Sequence, residues 1–186
     1  MDKKPTPEIH LLIEMYNLKP LPVEGSLFTL TYRDNELIPS GVLPSRYPVN
    51  PRPFGTAIIF LLTPHPDSFS ALHWLPTDEI YHFYLGDPVE MLLLFPDGES
   101  RHIVLGQDIL NGQKIQFVVP RGVIQGSRLV DGGRWALCGT TMAPGFDETD
   151  YLGCARQELL TKYPTESRLI NLLTRQGDSL RMTTAD

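Results

Sequence analysis

The sequence is short of cysteine. Two thiols in 186 residues, Cys138 and Cys154, form neither a metal-binding spacing nor a disulfide framework. They read as two buried or half-buried free thiols in a reducing cytoplasm. Basic runs are missing as well. Lys and Arg total 16 against 22 Asp and Glu, a formal net charge of -6, and the longest basic cluster is Lys3-Lys4. A nucleic-acid binder carries a basic face and a membrane-surface anchor a basic patch, so neither partner is expected. No apolar run approaches the roughly 18 residues of a spanning helix. No apolar region follows the charges of Met1-Asp2-Lys3-Lys4-Pro5, so no secretory signal is expected either.

Helical periodicity is scarce, and it lies near the two ends. Ile9, Leu12, Ile13 and Tyr16 repeat at three- and four-residue steps behind Thr6 as N-cap and Pro7 at the first helical position, which predicts a helical arm over about 6–17. Leu169, Ile170, Leu172 and Leu173 behind Pro164 and Thr165 predict a second helical segment over about 165–175. Between them stand short β runs at 27–32, 57–62, 80–85, 89–95, 103–105, 115–119, 123–129 and 135–141. Turn clusters such as Gly86-Asp87-Pro88, Pro96-Asp97-Gly98 and Asp131-Gly132-Gly133 punctuate them. With 15 glycines, 17 prolines and 41% apolar residues, the chain has many turns and a core to bury, and a helix bundle is excluded. The expectation is one all-β domain over 1–186, a sandwich or barrel with the jelly roll among the commonest solutions. The stretch 38–55 carries five prolines and is read as a loop. Its Arg46, Tyr47 and Arg52 can close over an anionic ligand; a solvated surface excursion is the plainer reading.

The informative region is 70–86. Glu79 and Gly86 keep the spacing E-x6-G, and His73 stands six residues before Glu79. This resembles the first motif of the cupin superfamily, G-x5-H-x-H-x3,4-E-x6-G, with Leu75 in the second histidine position. Pro120-Arg121-Gly122-Val123-Ile124-Gln125 keeps the P-x-G-x2 frame of the second cupin motif, with Gln125 in place of its histidine and Leu129 in place of its asparagine. A closer resemblance runs along most of the chain. Glu24-Gly25, Thr31-Tyr32-Arg33, Thr56-Ala57-Ile58-Ile59-Phe60-Leu61-Leu62, Asp78-Glu79-Ile80-Tyr81-His82-Phe83-Tyr84 and Ala143-Pro144-Gly145-Phe146-Asp147 look like the signature blocks of the uncharacterised cupin-5 family. Leu30 departs from the glutamate more frequent there, and the proline-rich loop is longer. The resemblance implies an RmlC-like jelly roll (a double-stranded β-helix) with a small-molecule ligand in the barrel. Fold alone does not specify an activity.

A catalytic metal needs about three good protein ligands, and a neutral glutamine is a poor one for a transition metal. His73, Glu79 and Gln125 therefore predict no metal and no cofactor. They favour an epimerase- or isomerase-type reaction, with His73 as base, Glu79 as its orienting partner and Gln125 as a polar contact to substrate. Arg52 or Arg121 would anchor an anion. The alternatives are a ligand-binding or sensor cupin without turnover, and a metal-dependent enzyme. Tyr81, Tyr84 and Tyr151 are candidate acids or stacking partners, against a plainer place in the core. Strand alternation sets Ile80, His82 and Tyr84 opposite Glu79. His82 and Tyr84 are nevertheless expected at the pocket or its rim as substrate contacts, with a visible hydrogen-bond partner for His82. Open sheet edges and the prevalence of two-fold symmetry predict a homodimer.

Overall fold

Short β segments rich in Val, Ile, Leu and Phe dominate the computed structural model, which describes residues 9–48, 50–175 and 181–182. The chain begins with helix α1 (Ile9–Tyr16). It continues through β1 (Lys19–Pro20), β2 (Leu27–Arg33), β3 (Leu37–Ile38), β4 (Arg52–Pro53), β5 (Thr56–Leu62), β6 (Phe69–Trp74) and β7 (Glu79–Gly86). Then come β8 (Val89–Leu94), β9 (Ser100–Leu105), β10 (Gln116–Val119), β11 (Ile124–Leu129), β12 (Ala136–Met142) and β13 (Leu152–Gly153), followed by α2 (Arg156–Lys162) and α3 (Ser167–Leu172). Thr6 and Pro7, expected to cap α1, lie outside the described residues.

The strands form two antiparallel sheets, in the orders β1-β2-β5-β12-β7-β10 and β13-β6-β11-β8-β9, with β3-β4 as a separate pair. The main core lies between them: Phe60, Leu62, Tyr81, Phe83, Ala136 and Cys138 from the first sheet meet Val89, Met91, Leu93, Leu105 and Leu129 from the second. Each sheet also has an outer face to cover. α1 closes part of the first with Leu12, beside Leu61 and Leu137. α2 and α3 close the second with Leu159, Leu169 and Ile170 over Leu72, Leu92 and Leu94. β8 is thus buried on both faces, which is why it reads as an almost unbroken apolar run. Among the described residues no helix is long and apolar enough to cross a membrane.

Three elements differ from the sequence expectation. β6 is absent from the expected strands because it too is buried on both faces and interrupted by a register shift against β11, so alternation is lost. α2 offers little periodic apolar pattern, with Leu159 its buried residue. The 38–55 loop is exposed along most of its length, but Tyr47, Arg52 and Pro53 are buried and anchor it. Arg46 Nε donates to the Pro76 carbonyl at 3.0 Å, Thr77 Oγ1 donates to the buried Tyr47 hydroxyl at 2.9 Å, and β3 pairs with β4 to close its base. It stays out of the two main sheets but not off the barrel.

Candidate functional site

The register shift that hides β6 also builds the site. Gln125 stands opposite His73, yet Ser127 stands opposite Ser70, so residues three apart on β6 face two apart on β11. On β11, Leu129 belongs to the core between the sheets and Ile124 to the outer cluster, so Gln125 and Ser127 share the inward face. The opposite sheet supplies Glu79 and Tyr81 from β7 and Thr140 from β12. A polar island thus interrupts an otherwise apolar interior.

His73 is buried, and its Nδ1 lies 2.7 Å from the Ala71 carbonyl. A carbonyl only accepts, so Nδ1 carries the proton and Nε2 presents a lone pair. Burial holds the imidazole pKa below its ordinary value, which keeps the ring neutral. Gln125 Nε2 stands between the two catalytic candidates, 2.6 Å from Glu79 Oε2 and 3.5 Å from His73 Nε2. Glu79 is therefore not the orienting partner expected for His73; the Ala71 carbonyl has that role. Burial raises the Glu79 pKa, against the opposing pull of His73 and the hydrogen bonds from Thr140 and Gln125. Tyr151 stacks on the imidazole at 4.8 Å between ring centroids.

A second carboxyl enters from the loop between β1 and β2. Glu24 Oε2 accepts a 2.5 Å hydrogen bond from Ser70 Oγ, and burial pushes its pKa up to about 7. The loop that delivers it is strained: Val23, a β-branched residue, has φ of +67°. Gly25 follows at φ +84°, where a Cβ would fall 2.1 Å from the Asp67 carbonyl oxygen. Arg175 pins this turn from the far end of the chain, with Nε on the Val23 carbonyl at 3.1 Å and Nη1 on Asp67 Oδ1 at 3.0 Å. In the unfolded chain the Glu24 proton leaves near the ordinary value of 4.5, before it leaves in the fold. Stability from this group is therefore full below pH 4.5 and is lost as pH rises through 7. Glu24→Gln is expected to be more stable than wild type at pH 8, by up to about 3 kcal/mol, and level with it at pH 4. Chemical denaturation at the two pH values reads the difference.

Three buried polar atoms of this region have no protein partner: Gln125 Oε1, Ser127 Oγ and Tyr151 Oη. Leaving such a group unpaired costs about 1–3 kcal/mol, so each is an open bonding position inside the barrel.

The other expected contacts stand elsewhere. Arg52 is fully buried, and all five of its N–H groups have acceptors. Nε and Nη2 form a fork on Asp150 at 2.9 and 2.6 Å, Nη2 also meets Thr149, and Nη1 meets the Asn50 and Pro51 carbonyls. Nothing is left over to anchor an anion. Arg121 is exposed on the turn before β11, 3.8 Å from Asp78 Oδ1. His82 and Tyr84 occupy the face of β7 away from Glu79, their rings parallel at 6.3 Å. His82 Nε2 meets Thr141 Oγ1 at 3.0 Å and Nδ1 meets Gln116 Nε2 at 3.3 Å. The β7 bulge falls between Phe83 and Leu85, past His82, and so does not turn its side chain inward.

The profile of the Cupin_5 family, described as Cupin superfamily (DUF985), matches residues 10–152. The chain belongs to that family. It is 32% identical over 99 residues to the uncharacterised protein YML079W of Saccharomyces cerevisiae, a match covering 52% of this cupin and 48% of the yeast protein, about half of each. Protein SO0799 from Shewanella oneidensis superposes with a TM-score of 0.77 at 29% identity, over 91% of this cupin and 99% of that chain. A hypothetical protein from Leishmania major gives 0.78 at 26% identity, over 90% and 99%. A cupin 2 domain-containing protein from Halorhodospira halophila, at 10% identity and a TM-score of 0.51 over 83% and 86%, shares the fold.

Many cupins hold a metal, and the side chains of this one do not fit it. Leu75, in the place of a histidine ligand, packs with Met142 and Tyr151. Gln125 turns its amide nitrogen, a donor, towards the two atoms a metal would need, His73 Nε2 and Glu79 Oε2. Among the described residues no three His, Cys, Asp or Glu side chains stand close enough to share an ion. Sequence reasoning missed Glu24, Ser70 and Ser127 as site residues in this cupin. Glu24-Gly25 was visible as a signature block, and its acidic side chain beside a turn glycine was the available signal. Ser70 and Ser127 carried none, because their convergence depends on the register shift.

Proposed function

We propose that this cupin binds a small molecule between its sheets and isomerises it without a metal, by moving a proton next to a carbonyl group. The observation that carries the reading is the tautomer of His73. Nδ1 is committed to the Ala71 carbonyl, so Nε2 faces the interior as a neutral base, with Glu79 a glutamine's width away. His73 Nε2 takes the proton from the carbon beside the carbonyl, and protonated Glu79 gives one to the carbonyl oxygen, producing an enediol. His73 then gives its proton to the former carbonyl carbon while the neighbouring hydroxyl returns a proton to Glu79, which completes an isomerisation. Protonation of the original carbon from water on its other face, with the first hydroxyl returning its proton to Glu79 and His73 releasing its own to water, completes an epimerisation. Gln125 keeps base and acid in register. The test is incubation of hydroxy-carbonyl compounds with the protein in D2O, read by NMR for deuterium at the carbon next to the carbonyl. Protein-dependent incorporation is expected; its absence across the compounds assigns the protein to the second reading, a binding module without turnover. That reading has an observation of its own, since the three unpartnered atoms ask for a ligand and not for a reaction.

We further propose a homodimer, supported by the open edges of both sheets, and a cytoplasmic location, in keeping with two free thiols. Light scattering at micromolar concentration is expected to give twice the 21.0 kDa chain mass, and a monomer would remove the dimer proposal.

A further inference from the structure

We propose that the ligand of this interior is an uncharged polyhydroxylated compound, a free sugar or its open-chain form, and not a phosphorylated or carboxylated one. The inference rests on the ligand site of the proposed function and names its substrate class.

Three independent features of the wall converge on hydroxyl groups. The first is the set of unpartnered atoms. Gln125 Oε1 accepts, while Ser127 Oγ and Tyr151 Oη either donate or accept. A hydroxyl group does both, so one ligand with several of them satisfies all three positions. The second is an excess of acceptors over cations. The Glu24 and Glu79 carboxyls and His73 Nε2 add to Gln125 Oε1, and a carboxyl accepts at its carbonyl oxygen whether or not it is protonated. The third is the disposition of positive charge. Among the described residues Arg52 is the one Lys or Arg that is buried, and its N–H groups are committed to Asp150, Thr149 and two carbonyls. Arg175, at the rim, is bonded to Asp67 and to the Val23 and Glu24 carbonyls.

An anionic ligand would lose its hydration, and the nearest guanidinium, that of Arg175, is already committed to Asp67 and to the Val23 and Glu24 carbonyls. A cationic ligand would need those carboxyls ionised, whereas burial favours their protonated forms. The neutral compound avoids both costs.

The experiment is ligand-observed NMR with the full chain at pH 6, below the Glu24 pKa of about 7, against matched sets of aldopentoses, aldohexoses and ketoses, their phosphate esters, and their amino-sugar counterparts. At least one uncharged sugar is expected to bind, with its phosphate ester and its amino counterpart at least about tenfold weaker. Ser127→Ala and Tyr151→Phe are each expected to weaken binding about tenfold. Because neither hydroxyl has a protein partner, neither variant should melt below wild type, which separates lost binding from lost folding. The proposal is overturned if no uncharged sugar binds, if a phosphate ester or amino sugar binds as tightly, or if both variants bind like wild type. Uncharged sugar bound without deuterium incorporation would support the ligand class while ending the isomerase reading. Incorporation into a phosphate ester alone would do the reverse.

Discussion

His73→Ala is expected to slow deuterium incorporation into substrate by about 100-fold or more, the usual contribution of a positioned general base. The effect follows from the loss of the one basic nitrogen aimed inward; Gln125, its neighbour, presents an amide N–H at that point. Glu79→Gln is expected to give a loss of similar order with a different pH signature. In wild type, activity needs His73 neutral and Glu79 protonated, so it falls on the acid side as His73 gains a proton and on the alkaline side as Glu79 loses one. Burial lowers the His73 pKa and raises the Glu79 pKa, and both shifts run in the direction this pairing of states requires. Glu79→Gln should keep the acid limb and lose the alkaline one. A pH profile with both limbs intact in Glu79→Gln would exclude Glu79 as the proton donor.

The second large effect is on stability. Arg52→Ala leaves Asp150 as a buried carboxylate stripped of its fork, and breaking a buried pair in this way costs about 3–5 kcal/mol. For a domain of this size the melting temperature should fall by roughly 10 °C. The double variant Arg52→Met/Asp150→Leu is expected to recover much of the loss, since the apolar pair removes both charges together. Calorimetry of Arg52→Met, Asp150→Leu and the double variant gives the coupling energy. A single variant that melts within 2 °C, about the effect of 1 kcal/mol or less, would show that the pair does not hold the loop to the barrel.

Legibility of this protein in its sequence followed solvent exposure. β7 has faces that differ in burial along its first five residues, and alternation in its sequence marks it. β6 has none to show, because α2 and α3 cover its back, and the most informative histidine sits in a strand that no pattern announces. The polar island was half legible. His73, Glu79 and Gln125 keep the positions of recognised motifs, and the structure brings them together. Arg52 illustrates the opposite failure. A lone arginine in a proline-rich stretch looks available, and its partner lies 98 residues away on a short 3₁₀ turn that Asp147 caps through the Thr149 N–H. His82 shows where parity deserved more weight than a place in a signature block: a contact at the pocket or its rim is expected, and the two-residue repeat turns the ring outward.

The Arg175 clamp bears on how the molecule comes into being. A chain synthesised from its amino end has β1, β2 and the Glu24 turn in hand early, yet the group that fastens that turn is 152 residues downstream of Val23. The Leu173 carbonyl likewise receives the Leu72 N–H from β6 at 2.7 Å. Contacts so distant in sequence carry a large loop-closure entropy and form late. The sheets can therefore pair while the protein is still on the ribosome, but the acidic wall of the interior acquires its final shape only after residue 175 has emerged and docked. A nascent chain stalled before that point would have a barrel and an unfinished polar interior.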